Sequence, residues 1–234
     1  MLYLKDSYKK ELDTKVTESN GKYITLEHTI FYPESGGQAS DEGLILKGNE
    51  EFKVIKVKKD SGKVVHELDK EGLQAGDSVH CILNWERRYK LMRSHTAAHI
   101  LSAVFQKEAS ALVTGNQITP EKIRIDYSLD KLDKEKIKEY IDKANAIIKG
   151  NLKVSNSEMK REDIEKRPEM IKLAMGLPPS IKVLRIITIG NIDEQPDAGT
   201  HVHNTSEIGS LELISYETRG KENKRIYVRL KENE

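Results

Sequence analysis

Two pairs of residues with metal-binding side chains, each with a spacing of four, are the strongest chemical signal in this chain. His95 and His99 form the first pair, and Asp197 and His201 form the second. On a helix, residues four apart lie one turn above each other on the same side, so the imidazoles of the first pair are able to share one metal ion. Three imidazole nitrogens and one carboxylate together make a plausible zinc site.

Each pair also has an ordinary structural explanation. A buried histidine is most often a hydrogen-bonded core residue, and an acid near a histidine in a turn is common without a metal. The surroundings of the first pair favour a metal, because two buried imidazoles in one narrow sector need hydrogen-bond partners or a cation. Residues 86–108 are apolar on almost every side of a helix, which predicts a buried helix with one polar sector. That sector contains Arg88, His95, His99, Ser102 and Gln106.

Short alternating segments precede this helix and predict a small closed β-barrel. Turn signals such as Asn20-Gly21 and Ser61-Gly62 separate them. On the last segment, Cys81 lies on the apolar face and is predicted to be a core residue. Residues 29–38 combine two aromatic residues, a proline and paired glycines, which indicates either a barrel corner or a close approach of the backbone to another group. The predicted strands are residues 13–19, 23–29, 43–46, 52–58, 63–68 and 78–85.

The remainder of the chain predicts an α+β domain, with helices on one face of a mostly antiparallel sheet. Asp133 is the predicted N-cap of an amphipathic helix that ends at Gly150, and a polar helix over residues 161–173 is interrupted by Pro168. The predicted strands are residues 122–128, 152–160, 181–189, 211–218 and 225–230. The fold class is therefore α+β, with a barrel domain over residues 1–85 and a second domain, carrying both residue pairs, over residues 86–234.

Composition limits the classes of function. No apolar run approaches the roughly 18 residues of a membrane span, and the N-terminus has no signal-peptide pattern, so we expect a cytoplasmic protein with no membrane partner. The single cysteine excludes an internal disulfide. A formal net charge of +1 makes the whole chain a poor general binder of nucleic acid, although local basic surfaces remain possible.

Three separated motifs follow one another along the chain. The first is Phe31-Tyr-Pro-Glu-Ser-Gly-Gly-Gln38 with Asp41-x-Gly43; the second is His95-Thr-Ala-Ala-His99; the third is Gly199-Thr-His-Val202 with Thr205-x-Glu-Ile-Gly209. All three resemble the editing domain of alanyl-tRNA synthetase. Because the resemblance extends from the predicted barrel to the last predicted hairpin and leaves nothing for aminoacylation, the chain is identified as similar to the freestanding editing proteins of the AlaX family.

This resemblance implies a trans-editing deacylase that contains Zn²⁺ and hydrolyses mischarged Ser-tRNA(Ala), and also Gly-tRNA(Ala). It implies that His95, His99 and His201 are zinc ligands, that Thr29 meets the serine hydroxyl, and that Gln38 lines the same pocket. One residue departs from the family pattern, which usually has cysteine where this chain has Asp197. Asp197 is then either an oxygen ligand or a residue behind a water in an open fourth position, and the identity of the metal is open.

The partner implied by the resemblance is mischarged tRNA(Ala). Since the net charge is close to zero, binding must depend on a local basic surface that contacts phosphates. The candidates stand near the start of the histidine helix, where the alternative is a solvated helix end. They are Arg87, Arg88, Lys90 and Arg93.

Two other classes of function remain open. One is a zinc hydrolase of another ester or amide, although the glutamate of the HExxH motif is replaced here by Thr96 and Ala97. The other is a tRNA-binding module with a structural metal, for which a closed four-ligand site is expected. The related editing domain of threonyl-tRNA synthetase shares the histidine motifs, but the segment from Phe31 to Gln38 favours the alanine system.

Overall fold

The chain forms two compact units, Met1–Met92 and Arg93–Glu234. The computed structural model describes residues 1–131, 133–174 and 181–231. The first unit is built on a closed antiparallel barrel, as predicted. Its elements are α1 (Leu2–Lys5), β1 (Glu11–Asn20), β2 (Tyr23–Leu26), β3 (Gly43–Lys47), β4 (Glu50–Asp60), β5 (Lys63–Leu68) and β6 (Ser78–Leu83). The strand order around the barrel is β1-β2-β5-β4-β3-β6.

Strand β6 closes the barrel. Cys81 lies opposite Leu12 on one side and Ile45 on the other, so both edges of β6 are paired and the barrel has no open edge there. Alternation along β6 turns Val79, Cys81 and Leu83 inward. Cys81 is fully buried and is not in a disulfide, which confirms the prediction that it is a core residue.

The hairpin between β4 and β5 contains the predicted turn signal Ser61-Gly62. Ser61 and Gly62 both have positive φ, at 49° and 81°. This is the backbone of the tight hairpin turns whose twist matches that of the flanking strands. Serine rarely adopts such a φ, but the glycine beside it does so at no steric cost. The turn therefore sets the register in which Asp60 faces Lys63.

Strand β2 ends three residues earlier than its predicted end at Thr29. The N–H of Glu27 still donates to Lys15 O at 2.9 Å, but at His28 side chains begin to replace backbone carbonyls as hydrogen-bond acceptors. The N–H of His28 donates to Thr14 Oγ1 at 3.1 Å, and the N–H of Phe31 donates to Thr29 Oγ1 at 3.1 Å. Side-chain acceptors of this kind offer the backbone an alternative to the strand ladder, so Thr29 lies in a loop.

The second unit contains two antiparallel sheets and the helices that accompany them, in agreement with the predicted α+β class. The remaining elements are α2 (Trp85–Ala109), β7 (Val113–Ile118), β8 (Ile123–Ser128), α3 (Lys134–Lys149), β9 (Val154–Lys160), α4 (Arg161–Glu165), β10 (Val183–Ile189), β11 (Asp193–Pro196), β12 (Leu211–Thr218) and β13 (Asn223–Leu230). One sheet has the order β11-β10-β9 and the other the order β12-β13-β8-β7.

Helix α2 is buried along the predicted apolar sides. Ala97, Ile100, Leu101 and Phe105 are fully buried. Phe105 stacks on Tyr127 of β8, with ring centroids 4.2 Å apart and an interplanar angle of 5°. Contacts of this kind fix the rotation of the helix about its axis and thereby the direction of its polar sector.

Helix α3 forms as its sequence predicts. Asp133 is the N-cap, and its carboxylate accepts the N–H of Lys136 at 2.7 Å. Asn145 then joins the helix to β12, because its amide donates to Leu211 O at 3.0 Å and accepts the N–H of Leu211 at 2.7 Å. The amphipathic face is buried, at Ile137, Tyr140, Ile141, Ala144 and Ile148.

Other segments differ from the predictions. The helix expected over residues 161–173 is reduced to α4 and a 3₁₀ turn at Pro168–Met170, because proline lacks the N–H that a continuing helix needs. Strands β7 and β11 are not predicted from the sequence. Their sequences, VTGNQI and DEQP, are polar, and apolar and polar residues alternate only weakly in them. Across the described residues, no helix is both long enough and apolar enough to span a membrane.

Candidate metal centre

Helix α2 and the loop after β11 bring four side chains of the second unit together. His95 and His99 come from the polar sector of α2. Strand β11 pairs with β10, and the N–H of Asp197 donates to Arg185 O at 3.0 Å immediately after the last paired residue. The guanidinium of Arg185 also donates to Gly199 O at 2.9 Å. This anchoring holds Asp197 and His201 against the helix.

The four side chains form a tight, buried cluster. His95, His99 and His201 are at most 7% exposed, and their ring centroids are separated by 4.5 to 5.1 Å. One donor atom from each of these residues and Asp197 lies within 4.8 Å of the other three. The structure therefore brings together all four residues predicted as metal ligands.

Asp197 lies in contact with all three imidazoles. Its Oδ1 is 3.4 Å from His95 Nε2 and 3.8 Å from His99 Nε2, and its Oδ2 is 3.0 Å from His201 Nε2. Metal–nitrogen and metal–oxygen bonds of about 2.0–2.1 Å in a tetrahedron put the donor atoms about 3.3 Å apart. The separations above involve both carboxylate oxygens, and the donor atoms of all four residues lie within 4.8 Å of one another, which is looser than this value. Three nitrogens with one carboxylate oxygen are donors that suit zinc. The residue types fit a zinc ion, and direct ligation by Asp197 stays a prediction.

The outer nitrogens of two imidazoles have partners away from the cluster. His201 Nδ1 lies 3.1 Å from Thr96 Oγ1, which also accepts the N–H of Val202 at 3.3 Å. His99 Nδ1 lies 3.0 Å from Asp193 Oδ2, and Asp193 is hydrogen-bonded to Lys172 and Gln195. Such partners orient metal-ligating histidines.

The partners of these outer nitrogens are not among the residues predicted from the sequence. One signal was present: Asp193, Gln195 and Asp197 are two residues apart, and alternate residues of a strand share a face. The four polar residues of β11 do not by themselves predict a strand, so this alternation is not recognisable from the sequence. Lys172 has no corresponding sequence signal, because it reaches Asp193 from a distant part of the chain.

The protonation of the cluster reflects competition between burial and the two carboxylates. Burial opposes protonation of His99, but hydrogen bonds to Asp193 and Asp197 outweigh it and raise the pKa of His99 to about 9. Burial lowers the pKa of His201 to about 3, with help from the charge of His95. Burial alone would raise the pKa of Asp197, yet the surrounding histidines hold it well below its usual range. Because a ligating imidazole must be neutral at the ligating nitrogen, binding of a cation releases protons from this cluster.

Comparison with known proteins places the chain in a family. Residues 3–87 match the family described as tRNA synthetases class II (A), and residues 184–227 match the Threonyl and Alanyl tRNA synthetase second additional domain. The Alanyl-tRNA editing protein AlaX-M of Methanosarcina barkeri is 39% identical over 237 residues, which cover 98% of each chain. The chain belongs to the AlaX-M family of alanyl-tRNA editing proteins.

Other relatives show how far this likeness extends. The AlaX-M protein of Saccharolobus solfataricus is 40% identical over 233 residues, again 98% of each chain. The alanine–tRNA ligase of Ignicoccus hospitalis is 38% identical over 217 residues, which are 92% of this chain but only 24% of the ligase. The family resemblance identified from the three motifs is thus confirmed, and it holds along nearly the whole chain.

In this AlaX-M family member, Thr29 lies in the first unit with its hydroxyl engaged. Thr29 Oγ1 is 2.8 Å from His66 Nε2 and accepts the N–H of Phe31. His66 is fully buried, and its other nitrogen, Nδ1, faces the carbonyl of Ile24 at 3.4 Å. A carbonyl only accepts, so Nδ1 carries the imidazole hydrogen and Nε2 accepts from Thr29. The Thr29 oxygen therefore keeps acceptor capacity for one further donor.

The glycine-rich segment of the first unit is a tight turn. Gly36 and Gly37 both have positive φ, at 59° and 86°. The backbone groups of Ser35 and Gln38 are hydrogen-bonded to each other in both directions, at 3.2 and 3.0 Å. The turn returns the chain so that Gln38 is fully buried. The role of Gln38 in a substrate pocket stays a prediction.

Arg88 is fully buried in the first unit, which corrects its prediction as a phosphate contact. Its guanidinium donates to Ser7 O at 2.8 Å and to Ile30 O at 2.6 Å, and it forms an ion pair with the buried carboxylate of Asp41. Asp41 in turn accepts the N–H of Tyr32. Arg88 thus holds the segment before the glycine-rich turn and has no surface for a phosphate.

The other predicted basic contacts have protein partners of their own. Arg87 pairs with Glu42 at 3.2 Å, and Lys90 pairs with Glu86 at 3.2 Å. In the second unit, Arg93 donates to Ile208 O at 2.7 Å. Contact of these three residues with tRNA stays a prediction.

Proposed function

We propose that this protein hydrolyses the ester bond of Ser-tRNA(Ala), and also of Gly-tRNA(Ala), with a zinc ion held by His95, His99, Asp197 and His201. The general part of this statement follows from the family: alanyl-tRNA editing proteins are deacylating hydrolases, and this chain is an enzyme of that class. The observation that supports the finer part is the convergence of three imidazoles and one carboxylate in a single buried cluster.

The chain's own groups suit direct hydrolysis by water. In this reaction one water molecule adds its oxygen to the ester carbonyl, the bond from that carbon to the ribose oxygen breaks, and the ribose oxygen takes up a proton. If these four residues hold a zinc ion, its positive charge would polarise a carbonyl or anchor the aminoacyl group. Four protein donors fill a tetrahedral set and leave no position for a metal-bound water, so we leave attack to water positioned by the chain and the tRNA. The role that we assign to the cluster is to hold the aminoacyl group by its positive charge.

Selection of serine is assigned to Thr29, as the family resemblance implies. Alanine and serine differ by one hydroxyl, so a pocket that accepts serine cannot reject alanine by size. A protein group that is left without its hydrogen bond when alanine enters is able to discriminate, by factors on the order of 10⁴ in favourable sites. Because His66 takes the hydrogen of Thr29, the Thr29 oxygen is suited to accept a hydrogen bond from the serine hydroxyl.

The direct test is deacylation of Ser-, Gly- and Ala-tRNA(Ala) by the purified protein, beside the same protein stripped of metal and then reloaded. We expect hydrolysis of the serine and glycine esters, little hydrolysis of the alanine ester, and loss of activity on stripping that zinc restores. Equal hydrolysis of all three esters would contradict an editing function.

A closed four-ligand site is also what a structural metal requires, so a tRNA-binding module is the second candidate. Such a module would bind tRNA(Ala) in a parallel binding measurement but would not deacylate it in the assay described above. Hydrolysis of a simple amino-acid ester but not of aminoacyl-tRNA would instead favour a zinc hydrolase with another substrate. Contact of mischarged tRNA(Ala) with Arg87, Lys90 and Arg93, and a cytoplasmic location, belong to this proposal as well.

A further inference from the structure

We infer that Asp193 and Lys172 are positioning residues that orient His99 so that its Nε2 presents a lone pair to the metal. This inference rests on the proposed metal site and extends it to two residues that ligate nothing themselves. Both are buried, with 4% of Asp193 and 6% of Lys172 exposed. Neither belongs to the histidine motifs that identify the family.

Asp193 is the link between Lys172 and His99. It starts β11, where it pairs with Ile189 of β10. Its Oδ2 lies 3.0 Å from His99 Nδ1, and its Oδ1 accepts a hydrogen bond from Lys172 Nζ. The two oxygens of one carboxylate therefore join an ammonium group on one side to an imidazole on the other.

Lys172 is brought to this position by the backbone around it. The carbonyl of Lys172 accepts the N–H of Val113 at 2.9 Å, and the N–H of Ala174 donates to Val113 O at 2.9 Å. These bonds pin the segment that follows the 3₁₀ turn alongside β7. A buried ammonium group without a counter-ion is strongly unfavourable, and so is a buried carboxylate without one. The ion pair thus lowers the free-energy cost of burying both residues in their charged forms.

The charge on Asp193 determines which nitrogen of His99 carries hydrogen. An ionised carboxylate only accepts hydrogen bonds, so the ring nitrogen that faces it must be the donor. Gln195 Nε2 lies 2.8 Å from the same oxygen and 3.0 Å from His99 Nδ1. Of these three atoms, Oδ2 carries the negative charge and can accept two hydrogens, so we assign the hydrogens of both Gln195 Nε2 and His99 Nδ1 to it. With hydrogen on Nδ1, the neutral His99 ring has its lone pair on Nε2, the nitrogen that faces Asp197.

The substitution Asp193→Asn tests this arrangement with little change in shape. The amide oxygen is attracted to the Lys172 ammonium, which turns the amide NH₂ toward His99 Nδ1. That nitrogen must then accept, and the hydrogen moves to Nε2, where it blocks the metal. We expect zinc to bind the variant roughly 10- to 100-fold more weakly, the range found when such partners of ligating histidines are removed.

The matched control is Asp126→Asn. Asp126 is also buried and is paired with an arginine of the same unit, Arg225, at 2.6 Å, but its partners do not include the cluster histidines. Zinc affinity of the full chain is measured by competition with a chelator of known strength, and ¹⁵N NMR of the zinc-loaded protein reports whether Nδ1 of His99 carries hydrogen. We expect the control to keep the zinc affinity of the wild type even if it loses stability.

If Asp193→Asn is folded and binds zinc within about twofold of the wild type, the inference is wrong. If that variant does not fold, Lys172→Met and Lys172→Arg replace it: we expect weaker zinc binding for methionine and recovery with arginine, and equal affinity for both overturns the inference. A wild-type protein that takes up no zinc overturns the inference together with the metal. A wild-type protein that binds zinc but deacylates no aminoacyl-tRNA, while Asp193→Asn still weakens zinc, overturns the proposed function alone.

Discussion

The protein buries histidines in two contrasting ways. In the barrel, His66 is a single imidazole between the Thr29 hydroxyl and the Ile24 carbonyl, and burial lowers its pKa to about 4. In the second unit, three imidazoles surround Asp197, and one of them also faces Asp193. Both environments exclude water, so burial does not distinguish them. The partners do: the neutral partners of His66 do not offset the effect of burial on its pKa, whereas the carboxylates beside the three imidazoles make the cluster suited to a cation.

The largest effect in this comparison should come from removing cluster imidazoles. The double substitution His95→Ala with His201→Ala removes two of four donors, so we expect loss of most bound zinc and of Ser-tRNA(Ala) deacylation. The matched control is His203→Ala, which removes an exposed histidine of the same loop. Elemental analysis is the measurement, and one zinc per chain in the folded double variant would show that the site is elsewhere.

The next effect concerns the carboxylate that replaces the usual cysteine. If Asp197 is a ligand, Asp197→Ala should weaken zinc by at least the roughly 10- to 100-fold that loss of an indirect partner costs. Asp197→Cys should tighten zinc, because a thiolate suits this metal better than a carboxylate. Chelator competition measures both. Unchanged affinity in the two variants would leave three histidines and solvent as the ligand set.

A smaller effect, selective for the serine substrate, is expected from substitution of Thr29 in the first unit. Thr29→Val keeps the shape but removes the hydroxyl, so kcat/KM for Ser-tRNA(Ala) should fall by roughly tenfold to a hundredfold, the cost of leaving one polar group without its partner. Gly-tRNA(Ala) should be much less affected, since glycine has no hydroxyl to lose.

Thr29→Ser is the matched control for this substitution, because it retains the hydroxyl. We expect it to preserve the serine-to-alanine ratio of kcat/KM. Equal slowing of the serine, glycine and alanine esters by Thr29→Val would assign Thr29 a structural role with His66 rather than a role in selection.

The last effect is on the pH dependence of stability rather than on zinc binding or activity. The unfolded chain protonates His66 near its ordinary pKa of 6.5, whereas the folded chain does so only near 4. Stability is therefore lost as the pH falls from about 6.5 to about 4, by roughly 3 kcal/mol in total from this residue. His66→Gln keeps both hydrogen bonds possible and does not titrate, so its free energy of unfolding in urea should fall less over this range. Parallel curves for the two proteins would mean that His66 is protonated as easily in the folded chain.

Much of the fold was accessible from local patterns. Turn residues with positive φ, such as Gly62, mark the hairpins of the barrel, and the Asp133 cap marks the start of α3. The strand β11 was not accessible, because its four residues are polar and it is held by pairing with β10 rather than by its own propensity. The end of β2 was not accessible either, because it depends on the side chain of Thr14 in the neighbouring strand β1.

For the site, the sequence by itself determined the donors. The spacing within each pair places His95 above His99 on one helix and Asp197 near His201 in one loop, because local backbone geometry has a short period. Only the tertiary structure decided that the two pairs meet, that Asp197 contacts all three imidazoles, and that Arg88 is buried rather than basic surface. It also decided that Lys172 and Asp193 lie behind His99. The physical reason is that charge pairing in the interior joins residues far apart in the chain, and no local period records which distant partner a buried charge will have.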